Sequence, residues 1–232
     1  MNLFEYPNSA AFIEALSERI HGELEKAIEM RASASLALSG GGTPMPVYSK
    51  LSEMALDWSR VVAVPTDERW VTKDHPANNA SQIRACFGSC GIRILDLVPD
   101  EAIGAPTADY ARDMLQDIPV PFDVALLGMG SDAHFASLFP GSPALADGLD
   151  PASTTIALPV MPDPLPPEAP FGRISLTLAK LLASRNVLLA ITGENKRAVL
   201  DQAMHDHVDP YHCPVAALLR TAGDRLDIYW SP

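Results

Sequence analysis

The sequence predicts an α/β fold: a doubly wound, mostly parallel sheet flanked by helices. Three observations predict it. Short runs that are almost wholly apolar, among them VVAVP (61–65), FDVALLG (122–128) and NVLLAIT (186–192), read as strands buried on both faces. Helical patterns separate these runs, and alternation of the two favours parallel pairing. Polar, glycine-bearing loops follow the strand ends, where such sheets hold their ligands. The 232 residues suit one large domain or two small ones. No repeat or linker divides them, so a single domain over residues 1–232 is expected.

Each element follows from local pattern. Asn8 or Ser9 can cap a long amphipathic helix to about Ala32, with Phe12, Leu16, Ile20, Leu24 and Ile28 four apart. SLALS (35–39) is a short buried strand ending in Gly40-Gly41-Gly42. A helix follows Thr43-Pro44, since proline is accepted in a first turn. VVAVP runs into Thr66-Asp67-Glu68-Arg69-Trp70. Asn78 to Phe87 fits a short helix, IRILDL (92–97) a strand and Ala108 to Gln116 a helix. After FDVALLG, the pattern allows a strand over TTIALPV (154–160). Pro162, Pro164, Pro166, Pro167 and Pro170 then read as an extended surface loop. ISLTLAKLLA (174–183) is strand or helix by pattern, with a helix from near Leu176 favoured. NVLLAIT, a helix from Glu194 to His205 and a last strand, RLDIYW (225–230), complete the chain.

Composition narrows the function. Apolar residues make up 47% and charged residues 20%, the balance of a water-soluble globule. No apolar run approaches the ~20 residues of a membrane span, and MNLFEYPNSAAF lacks a signal-peptide pattern. A cytoplasmic protein with no membrane partner is expected. The net charge of −12 argues against nucleic acid as a partner. An anionic substrate would need cations gathered locally against that field. Cys86, Cys90 and Cys213 are odd in number and lack a framework spacing, as suits a reducing compartment.

Four loops beyond likely strands carry the chemistry: SGGGTP, TDERW, GMGSDAH and TGENK. Gly40, Gly41, Gly42 and Thr43 lead into a helix, where backbone N–H groups can hold a phosphate. The loop matches neither a dinucleotide fingerprint nor a P-loop. Asp67, Glu68 and Arg69 are either a solvated charge run or part of a site. His134 follows Gly-x-Gly-x-Asp at a strand end. An imidazole, with an ordinary pKa near ~6.5, can take a proton from water at neutral pH. Asp132 can fix its tautomer or bind a sugar hydroxyl. Lys196 and Arg197, at a helix start, can hold phosphate or simply face solvent. His205, His207, His212 and Cys213 offer metal donors, but their spacing fits no zinc motif and Pro210 interrupts them. A solvated helix end without metal is expected.

Taken in order, LALSGGGTPMPVYSKL (36–51), VPTDERWV (64–71), NN (78–79), GMGSDAHFASLFPGSP (128–143), GRISLTLAKLL (172–182) and TGENKRAVL (192–200) resemble the 6-phosphogluconolactonase family. The resemblance spans nearly the whole chain, and DxHxASLFP is its most specific element. It implies a Rossmann-like fold related to glucosamine-6-phosphate deaminases and ribose-5-phosphate isomerases. It implies hydrolysis of 6-phospho-D-glucono-1,5-lactone to 6-phosphogluconate in the pentose phosphate pathway, with no metal or organic cofactor. His134 is then the general base. Asp67 stands where the related deaminases transfer a proton, and Arg69, Arg173 and Lys196 are the matching cations. The chain departs from the family at Ala133, where glycine is usual; a positive φ there would strain alanine.

The chemistry is compatible with these residues. A lactone is an activated ester whose hydrolysis needs an oriented water, a base and help for the oxyanion. No GxSxG elbow is present, and none is required. The resemblance implies a phosphosugar lactone as the small-molecule partner, and a monomer or homodimer is expected. Two alternatives stand beside this reading. Glucosamine-6-phosphate deaminases typically carry Asn-Glu shortly after the histidine, where this chain has Ser137-Leu138-Phe139. A non-catalytic sugar-phosphate-binding module would keep the anion loops but need no His134.

Overall fold

A computed structural model of the chain describes residues 1–163, 165 and 170–232. Pro164, Pro166 and Pro167 of the expected proline-rich loop lie outside the described residues.

The first half of the chain places β1 (Asn2–Glu5), α1 (Ser9–Arg31), β2 (Ala34–Leu38), α2 (Met45–Ser52), β3 (Val61–Pro65), β4 (Asp67–Arg69), α3 (Asn79–Phe87), β5 (Arg93–Ile94) and α4 (Asp109–Gln116). The second half places β6 (Val124–Gly128), α5 (Leu145–Gly148), β7 (Ala157–Val160), β8 (Arg173–Leu176), α6 (Leu178–Leu182), β9 (Asn186–Thr192), α7 (Glu194–Ala203), α8 (Val215–Ala222) and β10 (Leu226–Ser231).

Seven strands form one sheet in the order β1-β10-β9-β6-β2-β3-β5, and every pairing in it is parallel. The inner strands β2, β3, β6 and β9 are almost wholly apolar because both faces are covered, whereas the edge strands β1 and β5 keep exposed polar residues. Along β2, Leu36 and Leu38 join a core built with α1, α2 and α3, while Ala37 joins the core under α4, α6, α7 and α8. Val124 and Leu126 of β6 face the first core, Ala125 and Leu127 the second. That alternation is the period of two expected of a strand. The doubly wound, mostly parallel sheet read from the sequence is the observed one.

α1 runs as expected. The Asn8 side chain caps it by accepting the Ala11 N–H at 2.9 Å, and Ala32 ends it at φ 63°. Its buried stripe, Phe12, Leu16, Ile20 and Leu24, then steps back to Ala27 and leaves Ile28 partly buried. Steps of four overshoot a 3.6-residue turn, so a stripe of that length must include a step of three.

Three differences matter for the site. ISLTLAKLLA is divided between a strand and the helix expected near Leu176. Arg173–Leu176 is strand β8, and α6 starts after Thr177, whose hydroxyl accepts the Lys180 N–H at 3.2 Å. The residues after β3 are not only a loop: Asp67–Arg69 form β4. With β8 and β7, β4 makes a second, antiparallel sheet in the order β4-β8-β7. IRILDL contributes only Arg93 and Ile94 to strand β5.

Chain order places the ligand crevice. From β2 the chain moves to β3 and β5 on one side; from β6 it moves to β9 and β10 on the other. β2 and β6 are neighbours, so the loops after them diverge from a topological switch point.

Candidate active site

A cleft of about 220 Å³ opens at that switch point. It is smaller than the ~300–1,000 Å³ usual for drug-sized ligands and suits a compact polar metabolite. Gly40, Gly41, Gly42, Thr43, Asp67, Arg69, His134, Arg173 and Lys196 all line it. The strands bring together residues that the sequence spreads over more than 150 positions.

The glycine turn leaves β2 through Ser39, whose carbonyl accepts the buried Tyr48 hydroxyl at 2.8 Å. Thr43 Oγ1 lies 2.9 Å from Thr192 Oγ1 and so ties this turn to the end of β9. Lys196 sits in the first turn of α7, directly beyond that strand.

β4 and β8 supply the opposite wall. Asp67 pairs with Ser175 across the antiparallel register, and Arg69 with Arg173. Directly opposed residues share a face, and so do residues two apart along a strand. One face therefore carries an aspartate and two arginines. Opposed like charges are unfavourable unless something compensates them. Burial pushes the Arg173 guanidinium below its ordinary pKa; Asp67 counters this and Arg69 adds to it. A bound anion would relieve the two guanidinium groups. Asp67 is itself buried and accepts hydrogen bonds from Thr66 Oγ1 at 3.2 Å and from Ser137 Oγ at 2.5 Å.

Glu68 projects to the other side of β4. It accepts the backbone N–H groups of Arg69, Asn79 and Ala80 at 2.8, 2.7 and 2.9 Å, pinning the start of α3 to the strand. Burial pushes its pKa up to about 7, against the pull of those three donors.

The loop after β6 holds the imidazole. His134 Nδ1 lies 2.6 Å from Asp132 Oδ1, and its ring packs on Phe139 with centroids 4.3 Å apart. At that distance an Nδ1–H donated to the carboxylate would leave the Nε2 lone pair free for a proton. Burial works to raise Asp132, but the hydrogen bond and charge of His134 outweigh it and hold the carboxyl below its ordinary range.

The backbone of this loop is held at several points. Gly130 N–H donates to the His134 carbonyl at 2.9 Å, and Val215 N–H to that of Ala133 at 3.0 Å. Ala133 and Ala136 adopt positive φ, 69° and 48°. Position 133 is thus left-handed, as the usual glycine of the family suggested. Alanine carries the strain, about 1–2 kcal/mol for an L-residue.

Ser39, Asn79 and Ser137 escaped assignment from sequence. Asn79 stood only within a quoted motif, and Ser137 only as a departure from the deaminases. The 205–213 segment holds no cluster of donors: His205 and His207 stack at 5.6 Å, and His212 turns to Asp209 at 3.3 Å. Among the described residues no three His, Cys, Asp or Glu side chains are grouped to hold a metal.

Comparison with known proteins decides the family. The model of the glucosamine-6-phosphate isomerases/6-phosphogluconolactonase family matches residues 7–230. The chain belongs to this family. The 6-phosphogluconolactonase of Pseudomonas aeruginosa is 36% identical over 228 residues, 97% of this chain and 92% of that one. The 6-phosphogluconolactonase of Rhizobium meliloti is 34% identical, covering 100% of this chain and 98% of its own length. The crystal structure of a 6-phosphogluconolactonase from Shewanella baltica superimposes with a TM-score of 0.91 at 32% identity, over 100% of this chain and 98% of that one.

Proposed function

We propose that the chain hydrolyses 6-phospho-D-glucono-1,5-lactone to 6-phospho-D-gluconate, as an enzyme of the oxidative pentose phosphate pathway. The observation that carries this reading is the meeting of His134, itself paired with Asp132, with Arg69, Arg173 and Lys196 in one small cleft. The histidine supplies a base and the cations supply a place for a phosphorylated substrate.

In this reading His134 Nε2 takes a proton from water as its oxygen attacks C1. Asp132 stabilises the imidazolium. The C1–O5 bond then breaks, and the imidazolium returns the proton to the ring oxygen as it leaves. The carboxylic acid released ionises in water. Asp67, held by two hydroxyls and facing Arg173, orients the cationic wall and keeps it from collapsing when the cleft is empty. The direct test is acid release from fresh lactone, corrected for spontaneous hydrolysis. A protein that binds the lactone but does not speed acid release is a binding module. Ammonia release from glucosamine 6-phosphate would instead identify a deaminase.

The phosphate contacts give a second test. Losing a hydrogen bond to a charged group costs about 1.5–3 kcal/mol. Lys196→Ala and Arg173→Met are expected to raise KM at least tenfold for the phosphorylated lactone and much less for plain gluconolactone. Unchanged selectivity in both variants would move the phosphate to the 40–43 backbone alone.

Metal is not part of the proposed chemistry. Prolonged dialysis against a strong chelator is expected to leave turnover intact. A loss restored by zinc would return His205, His207, His212 and Cys213 to consideration. We place the enzyme in the cytoplasm, as a monomer or homodimer without nucleic-acid or membrane partners. Among the described residues no helix is long and apolar enough to cross a membrane.

A further inference from the structure

We infer that Asn79 is a positioning residue that sets the Arg69 guanidinium and the Gly40 turn against each other, so that the two opposite walls of the cleft take one fixed spacing. Asn79 is fully buried at the start of α3. Its side-chain amide is fixed at both ends. Nδ2 donates to the Asp67 carbonyl at 2.8 Å, and Oδ1 accepts from Arg69 Nη1. Its backbone N–H is held by Glu68 at 2.7 Å. The amide cannot rotate or withdraw without breaking one of these bonds in a buried place, where an unpaired polar group is costly.

Gly40 rests directly on this amide. A Cβ at position 40 would stand 2.6 Å from Asn79 Cγ and nearer still to Oδ1. Gly40 is not at a positive φ, so glycine is needed there for space rather than for conformation. The first residue of the anion-facing turn can approach β4 only because it lacks a side chain, and Asn79 sets the limit of that approach.

The same contact decides what Arg69 presents. Nη1 is occupied by Asn79 and by the Ala77 carbonyl at 3.1 Å. Nε is buried and, among the described residues, has no hydrogen-bond partner. Asn79 thereby fixes the fork with one nitrogen turned to the protein, leaving Nη2 as the donor it can turn to a ligand in the cleft it lines. An arginine on a flexible stem would lose rotamer freedom on binding an anion; this one is ordered beforehand.

The inference rests on the lactonase reading only for the choice of one probe. Affinity is to be measured by calorimetry with 6-phosphogluconate and, separately, with inorganic phosphate, whose binding needs only the cations. Lactone turnover by the wild type tests the activity independently. Asn79→Ala is expected to weaken binding about tenfold or more, with kcat changed far less than KM. In an Arg69→Ala background the same substitution should have almost no effect, because it acts through that guanidinium. Gly40→Ala should weaken binding by pushing the amide aside. In the Gly40→Ala/Asn79→Ala double variant the clash is gone, and binding should be no weaker than in Asn79→Ala alone. If Asn79→Ala does not fold, the comparison of Gly40→Ala with and without Arg69→Ala carries the same test. Additive losses in these cycles, for both probes, would overturn the inference and leave Asn79 a packing residue of α3.

Discussion

His134→Asn is expected to fold normally and to lose about 10²–10⁴ in turnover, the usual worth of a general base, with a much smaller change in KM. Asparagine keeps a polar side chain of similar reach but cannot take a proton. KM is spared because the cations lie on other strands: Arg69 on β4, Arg173 on β8 and Lys196 after β9. The wild-type rate should fall as pH drops, since a protonated imidazole has no lone pair for water. Asp132 does not set that limb, because its carboxyl is held below the ordinary carboxylate range. The alkaline side has a separate cause. Burial holds Lys196 below its ordinary pKa, with the Asp132 charge restoring part of the difference. It therefore gives up its charge at a lower pH than a surface lysine, and KM should rise there while kcat holds. Lys196→Arg should remove the alkaline rise. If His134→Asn retains most of its turnover, the base is Asp67 and the imidazole only supports the site.

Gly130→Ala should cost about 10²-fold in turnover, the scale expected when a catalytic group is displaced by about 1 Å. A Cβ at Gly130 would collide with both the His134 imidazole and the Asp132 carboxylate. The backbone cannot give way cheaply, because Gly130 N–H donates to His134 O and its carbonyl accepts Ala133 N–H at 3.1 Å. The side chains must move instead, and the 2.6 Å contact that fixes the tautomer goes with them. Gly128→Ala is the control. Its Cβ would meet Ser39 Oγ at 3.6 Å, an ordinary contact, so turnover should change little. Equal losses at the two glycines would point to strand termination rather than the imidazole. A normal rate in Gly130→Ala would show that the His134–Asp132 pairing is dispensable.

In the GMGSDAH loop the reason for the glycines differs from the one the local pattern suggests. Its glycines look like conformational devices in the sequence. In the fold neither Gly128 nor Gly130 takes a positive φ, while Ala133 and Ala136 do. Gly130 is needed because two functional side chains occupy the space a methyl group would fill. Space depends on what returns to the residue in three dimensions, and the local pattern carries no record of it.

The layered sheet and the loops that line the cleft were legible in the sequence, and so were nine of the residues that line it. These are local properties. An apolar run of five to seven residues bounded by glycine or a charged turn reports burial on both faces. In a parallel sheet all carboxyl ends lie on one edge, and that edge is where the ligand lies. Tertiary structure alone decided the second wall. β4 is three residues long, too short for any period to show, and it is a strand only because Arg173–Leu176 lies beside it from about a hundred residues away. That pairing, not composition, sets Arg69 opposite Arg173 and brings Ser137 to Asp67. It likewise gave Asn79 its place between an arginine and a glycine turn. Each of these contacts joins residues whose neighbours along the chain are unremarkable, and a register between distant segments is fixed by packing that no window of sequence contains.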